Sequence, residues 1–262
     1  VRASGRSMLV LVVWVNACHS DLAFDSVGEA RPPEPRWELS FTEECGGEAL
    51  GDQVITLMRV GDATFRSWGS RADWMADEQV RVSGGLCTIT AVAKPSGDRQ
   101  FTSGVINTAG RFEQEFGRFE ARLRFPGGMG IWPQWWLRSV HGWPPAIHVA
   151  GLAGHRPEHL EFLIWYLTEQ GRQERTGSVE GSRWQDEFHV YRADWSEKEI
   201  LFVVDDVEVG RLDLEGVPPF GPLYPIVNLS VHDGEAGPVP DETTPWPAVL
   251  ELDWLRVYRR AE

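Results

Sequence analysis

The 262-residue sequence is short of positive charge, of cysteine and of long apolar runs. It has 25 Lys and Arg against 39 Asp and Glu, a formal net charge of −14. Nucleic acid and anionic membrane surfaces are held by basic groups, so this balance argues against both as partners. The main apolar run, Met8 to Val15, falls far below the roughly 20 residues that a membrane-spanning helix needs. Besides Cys18, only Cys45 and Cys87 are present. A disulfide between those two is allowed in an exported protein, but their spacing does not establish it. No stretch keeps a helical apolar period, no segment repeats, and there is no cofactor motif. One further absence is local. Residues 121–157 contain no Asp or Glu, whereas 37 residues at the average density of 39 in 262 would hold between five and six.

What the chain does have is a globular composition, 42% hydrophobic and 24% charged, with 13 Trp. So many tryptophans imply a large core or a stacking cleft. Arg2 and Arg6 precede the apolar run, which ends at Asn16-Ala17-Cys18. A basic head, a short apolar stretch and a small residue read as an export signal. The last residues resemble a bacterial lipobox in which Cys18 is lipidated after cleavage. Plain secretion and a buried N-terminal strand are the alternatives. Residues 19–36, with Gly28, Pro32, Pro33 and Pro35, read as a tether. The expected organisation is a signal over 1–18, a linker over 19–36 and one domain over 37–262.

That domain reads as strands. Phe119 to Phe125 alternates apolar with polar, the signature of a half-buried strand. Leu86 to Val92, Ile200 to Asp205 and Tyr224 to Val231 are further candidates. Leu250 to Tyr258 alternates almost throughout, which points the side chain of Trp254 toward the core, as is also expected for Trp195. Turn residues recur at Ser83-Gly84-Gly85, Pro126-Gly127-Gly128 and Asp233-Gly234. The pattern predicts an all-β sandwich or jelly roll of antiparallel strands.

Several segments, in order, resemble glycoside hydrolase family 16, the β-jelly-roll group that includes laminarinases and other β-glucanases. They are Val82 to Ala91, Thr102 to Thr108, Phe116 to Arg122, Gly130-Ile131-Trp132-Pro133-Gln134-Trp135-Trp136-Leu137, Phe188 to Tyr191 with Asp194-Trp195, Asn228 to Val231, and Asp253 to Tyr258. The resemblance implies a concanavalin A-like sandwich of two curved antiparallel sheets, the concave one forming a cleft for a β-linked polysaccharide. In the family, Trp at the position of Trp136 and Arg at that of Arg122 line the sugar-binding side.

The resemblance also locates what is missing. Retaining glycosidases need two carboxyl groups about 5–5.5 Å apart. The family supplies them from a Glu-x-Asp-x-x-Glu strand, which here is Ala146-Ile147-His148-Val149-Ala150-Gly151. Ala146 stands for the nucleophile, His148 for the middle Asp and Gly151 for the acid/base. The segment instead carries Arg122, Arg124, Arg138 and Arg156 with His141, His148 and His155. Glu161, with Leu163 and Trp165 on its face of the next strand, is the nearest substitute, and Glu158 falls on a turn. His141, His148, His155 and His159 match no metal-ligand spacing. Leu160 to Trp165 lacks the two family histidines, and His232-Asp233-Gly234-Glu235 replaces a Gly-Gly-x-Trp turn.

The expected function is therefore that of an exported, catalytically inactive relative that binds a β-linked polysaccharide through Arg122, Trp132, Trp136, His148 and Trp165. No cofactor or metal is expected, and contact with a membrane only through a lipid on Cys18. The alternatives are a cell-envelope interaction protein without a glycan ligand and an active glycosidase using relocated residues.

Overall fold

The computed structural model describes residues 35–60, 62–67, 71–181, 184–185, 187–235 and 237–261. The signal, the lipidation of Cys18 and most of the tether fall outside the described residues. The strands are β1 (Trp37–Glu43), β2 (Met58–Val60), β3 (Ala63–Phe65), β4 (Asp73–Met75), β5 (Val80–Ser83), β6 (Leu86–Ala91), β7 (Phe101–Ser103), β8 (Val105–Asn107), β9 (Gly117–Arg124) and β10 (Ile131–Arg138). They continue as β11 (Ala146–Leu152), β12 (His159–Thr168), β13 (Gly171–Glu180), β14 (His189–Trp195), β15 (Glu199–Val204), β16 (Val207–Asp213), β17 (Tyr224–Val231) and β18 (Ala248–Arg260). Among the described residues, one 3-10 turn at Asp77–Gln79 is the sole helical element.

Two antiparallel sheets form the jelly roll. One runs β16-β15-β14-β9-β18-β6-β5, with β1 added on β18, and the other runs β13-β12-β11-β10-β17-β8. Their facing sides share one apolar core, which takes Phe119, Ala121 and Leu123 from β9 and Ile131, Trp135 and Leu137 from β10. Strand β9 alternates buried and half-buried residues along its whole length, as its sequence predicts. All eight residues of β17 are buried because both its faces are covered. Val227, Leu229 and Val231 enter the inter-sheet core, while Tyr224 and Ile226 join a second cluster on the other face.

Strand β18 departs from its sequence pattern. A bulge between Leu252 and Trp254, opposite β9, inserts one residue and reverses the parity. Leu255 and Val257 are buried in the core, and Trp254 is turned out, half-buried, beneath the Arg256 guanidinium at 4.3 Å. The expectation of a core Trp254 is thus corrected, whereas Trp195 is buried.

The edges of the two sheets meet around Phe162. Its ring stacks on Phe202 with centroids 4.5 Å apart. It passes so close to Gly177 of β13 and Gly210 of β16 that a Cβ at either would run into it. Overpacking of a filled core costs about 1–3 kcal/mol. Gly210→Ala should lower the unfolding free energy by that amount in a denaturant titration, while Gly84→Ala, which meets nothing but has φ +61°, tests the separate cost of backbone strain.

Candidate glycan-binding site

Strand β11 carries all three altered positions. Its pairing with β12 slips between His148 and Gly151, and this bulge keeps Ala146, His148 and Gly151 on one face despite their uneven spacing. The face is the outer, concave one, because the intervening Ile147, Val149 and Ala150 belong to the inter-sheet core. Neighbouring strands are in register with this row. Ala146 lies between Arg138 of β10 and Trp165 of β12, His148 between Trp136 and Leu163, and Gly151 between Gln134 and Glu161.

No carboxylate pair occupies this centre among the described residues. The His148 ring stacks on Trp136, centroids 5.1 Å apart and planes 25° from parallel. Burial pushes its pKa down to about 4, so the imidazole is neutral at pH 7. Glu161 is exposed, and its Oε1 is 3.2 Å from His159 Nε2. Glu180 Oε1 lies on the other side of that ring, 2.5 Å from Nδ1. The two carboxylates thus flank an imidazole. Glu158 is on the turn before β12, as expected. The four histidines around the site do not gather. Among the described residues, the only grouping with metal-ligand geometry is Glu43, Cys45 and Cys87, whose sulfurs are bonded to each other.

The tryptophans divide by parity. Trp135 is fully buried between the sheets and donates Nε1–H to the Tyr191 carbonyl at 3.3 Å. Trp136 is on the cleft face but only 4% exposed, packed with Met58, Met75, Tyr224 and Ile226. Its Nε1–H donates to Asn228 Oδ1 at 2.6 Å, and Asn228 Nδ2 donates on to Gln134 and Ser230. Half-buried Trp132 stacks on His232, centroids 4.5 Å apart, so the replaced turn supplies an imidazole to that end of the face. Trp165 is half-buried, and Trp143, 41% exposed, leans on it with centroids 5.5 Å apart.

Arg122 is not part of this face. It lies on β9 in the other sheet, ion-paired with Asp253 at 2.5 Å and stacked over Phe188 at 4.7 Å. The motif places β9 correctly, but the alternation of β9 turns Arg122 away from the core and hence from the cleft sheet beyond it. Two groups were missed by sequence reasoning. Arg172 is on β13, whose sequence Gly-Arg-Gln-Glu-Arg-Thr-Gly-Ser-Val-Glu has no apolar alternation to mark it as a strand. His232 reads in the sequence only as a departure from the family turn.

The acid-free segment is largely neutralised from outside. Arg122 pairs with Asp253, Arg124 with Glu251, and Arg156 with Glu180. Arg138 has no such partner among the described residues, although it is 8% exposed.

Burial also lowers His232 to about 4. Both His232 and His148 titrate near 6.5 when unfolded. Between those values the unfolded chain binds more protons, so the stability they confer is fully present above about pH 6.5 and is lost as pH falls toward 4. Melting temperatures across pH 4–8 should show this decline, and the double variant His148→Gln/His232→Gln should flatten it.

A jelly roll whose outer concave face gathers tryptophans and a buried amide network has the architecture of a carbohydrate-active protein. The family described as Glycosyl hydrolases family 16 matches residues 69–254, and the chain belongs to it. It is 30% identical over 253 residues to the beta-glucanase of Rhodothermus marinus, covering 87% of each chain. The solved laminarinase from Rhodothermus marinus superimposes with a TM-score of 0.74 at 30% identity, over 87% of this chain and 100% of that one. A beta-1,3-glucan-binding protein of Penaeus monodon is 26% identical over 129 residues, 40% of this chain and 34% of that one.

Proposed function

We propose that this protein is an exported family 16 member that holds a β-linked polysaccharide without cleaving it. The observation that carries this reading is the row Ala146, His148 and Gly151 on the cleft face, where neither a nucleophile nor a proton donor is present. Retaining hydrolysis of a glycosidic bond needs both. Trp143, Trp165 and Trp132 remain accessible, and flat indole faces stack on the C–H faces of sugar rings. The names of the relatives, a beta-glucanase and a beta-1,3-glucan-binding protein, support a β-glucan as the polymer. Export is supported by the Cys45–Cys87 disulfide, since such bonds persist in oxidising compartments. Lipid on Cys18 completes the proposal, and metabolic labelling with a radiolabelled fatty acid, lost in Cys18→Ala, checks it.

The test of glycan holding is retardation in native gels containing β-glucan. The protein should be retarded, and Trp165→Ala with Trp143→Ala should migrate as in a gel without polysaccharide. Equal migration of the unmodified protein with and without glucans would contradict the reading. A second reading rests on the register of Glu161 opposite Gly151. It has Glu161 supply an acid at the vacated position, so that sugar release would disappear in Glu161→Gln.

A further inference from the structure

Arg138 ends β10 on the cleft face, between Tyr224 of β17 and Ala146 of β11. It is 8% exposed, and its Nε is sealed without a hydrogen-bond partner. Its guanidinium carbon lies 6.0 Å from the centroid of the Trp136 ring. No carboxylate among the described residues neutralises it. Burying a charge without a counter-ion is costly, and a folded chain ordinarily pairs such a group. Burial accordingly lowers the Arg138 pKa, yet a guanidinium stays protonated at any physiological pH. The neighbour that would naturally pair with it, position 146, is an alanine.

A second cation lies further along the same face. Arg172 on β13 sits 4.8 Å from the Trp165 ring centroid and 5.2 Å from that of Trp143. Cation–π contact holds the guanidinium in place without using its hydrogen-bond donors on an acid. Trp165 pairs with Ala146, which pairs with Arg138. The two arginines and two indoles thus mark one stretch of the face, a stacking surface with a fixed cation at each end.

We propose that the ligand supplies the missing counter-ion, so that the polysaccharide held here is acidic, with a carboxylate or sulfate ester engaging Arg138 and Arg172. This deepens the glycan-binding reading and rests on it. Both anions match the planar donors of a guanidinium, which bind oxyanions bidentately. The overall charge of −14 opposes polyanions at long range, but at about 0.15 M salt such repulsion is screened beyond roughly 8 Å.

The test compares three β-linked polymers by calorimetry at that salt: a polyglucuronate, the same polymer after reduction of its carboxyl groups to alcohols, and a sulfated galactan. The intact polyuronate or the sulfated galactan should bind roughly tenfold or more tightly than the reduced polymer, the range expected for a hydrogen bond to a charged group. Whichever anion wins identifies the source. Arg138→Met should bring the acidic polymer down to the affinity of the reduced one, and Arg172→Gln should weaken it part of the way. Arg138→Met should also raise the melting temperature of the free protein, because it removes an unpaired buried charge. Equal or tighter binding of the reduced polymer would overturn the inference and leave glycan holding intact. An acid preference that survives in a folded Arg138→Met would also overturn it. Failure of all three polymers and of laminarin to bind would overturn both readings together.

Discussion

Replacing Cys45 and Cys87 with alanine should lower the unfolding free energy by about 4 kcal/mol. The bridge spans 42 residues of sequence, and closing a loop of that size removes this much entropy from the unfolded chain at 25 °C in the chain-entropy description. Both cysteines are buried, at 1% and 0% exposure, so little of the loss is recovered by hydration. The surroundings depend on the bridge. Cys45 adopts φ 51°, and its N–H donates to Glu43 Oε1 at 2.9 Å while the Gly51 N–H donates to Oε2 at 2.7 Å. Glu43 is itself buried, so loosening this corner exposes a carboxylate held by two amides. For a domain of this size the effect corresponds to a fall in melting temperature of roughly 8–16 °C. Calorimetry of the oxidised protein and of the double variant measures it. A change below about 1 kcal/mol would show that the bridge only decorates an already fixed corner.

Restoring hydrolysis should fail one site at a time. Nucleophile and acid/base act as a unit, and in the best-measured case loss of one member costs about as much as loss of all, on the order of 10⁶ in kcat. Ala146→Glu alone lacks a proton donor, and Gly151→Glu alone lacks a nucleophile. The environment adds a second obstacle. A glutamate at 146 would lie beside Arg138, its partner in register, and would be drawn into an ion pair that weakens it as a nucleophile. Gly151 raises no such difficulty. It lies within strand β11 outside the left-handed region, and an added Cβ meets only the Glu161 carbonyl at 3.9 Å. Ala146→Glu/His148→Asp/Gly151→Glu should therefore fold and give at most faint release of reducing ends, with both single variants at background. Robust hydrolysis by either single variant would mean that a carboxylate elsewhere already serves as its partner.

The fold was legible because its strands obey simple alternation on a half-buried sheet, as in β9, or are apolar throughout, as in β17. Misreadings arose where local order depends on a partner strand. The bulge that turns Trp254 outward is a property of the β18–β9 pairing, and its one trace in the sequence is the adjacent apolar pair Trp254-Leu255. The row Ala146, His148 and Gly151 could be placed because a family motif surrounds it. Arg122 was misassigned by the same kind of transfer, since a motif fixes a strand more firmly than it fixes which layer a side chain serves. The solitary state of Arg138 was invisible for another reason. Four arginines in an acid-free segment look alike until the pairing of strands brings Asp253, Glu251 and Glu180 to three of them.

Whether the cleft holds sugar without cutting it is decided by one assay. The unmodified protein, at concentrations that retain laminarin and mixed-linkage β-glucan in gels, is incubated with each polymer and new reducing ends are counted. The expected result is no release above the buffer control, with Glu161→Gln indistinguishable from the unmodified protein. Clear release that disappears in Glu161→Gln would contradict it and assign catalysis to a relocated carboxylate opposite Gly151.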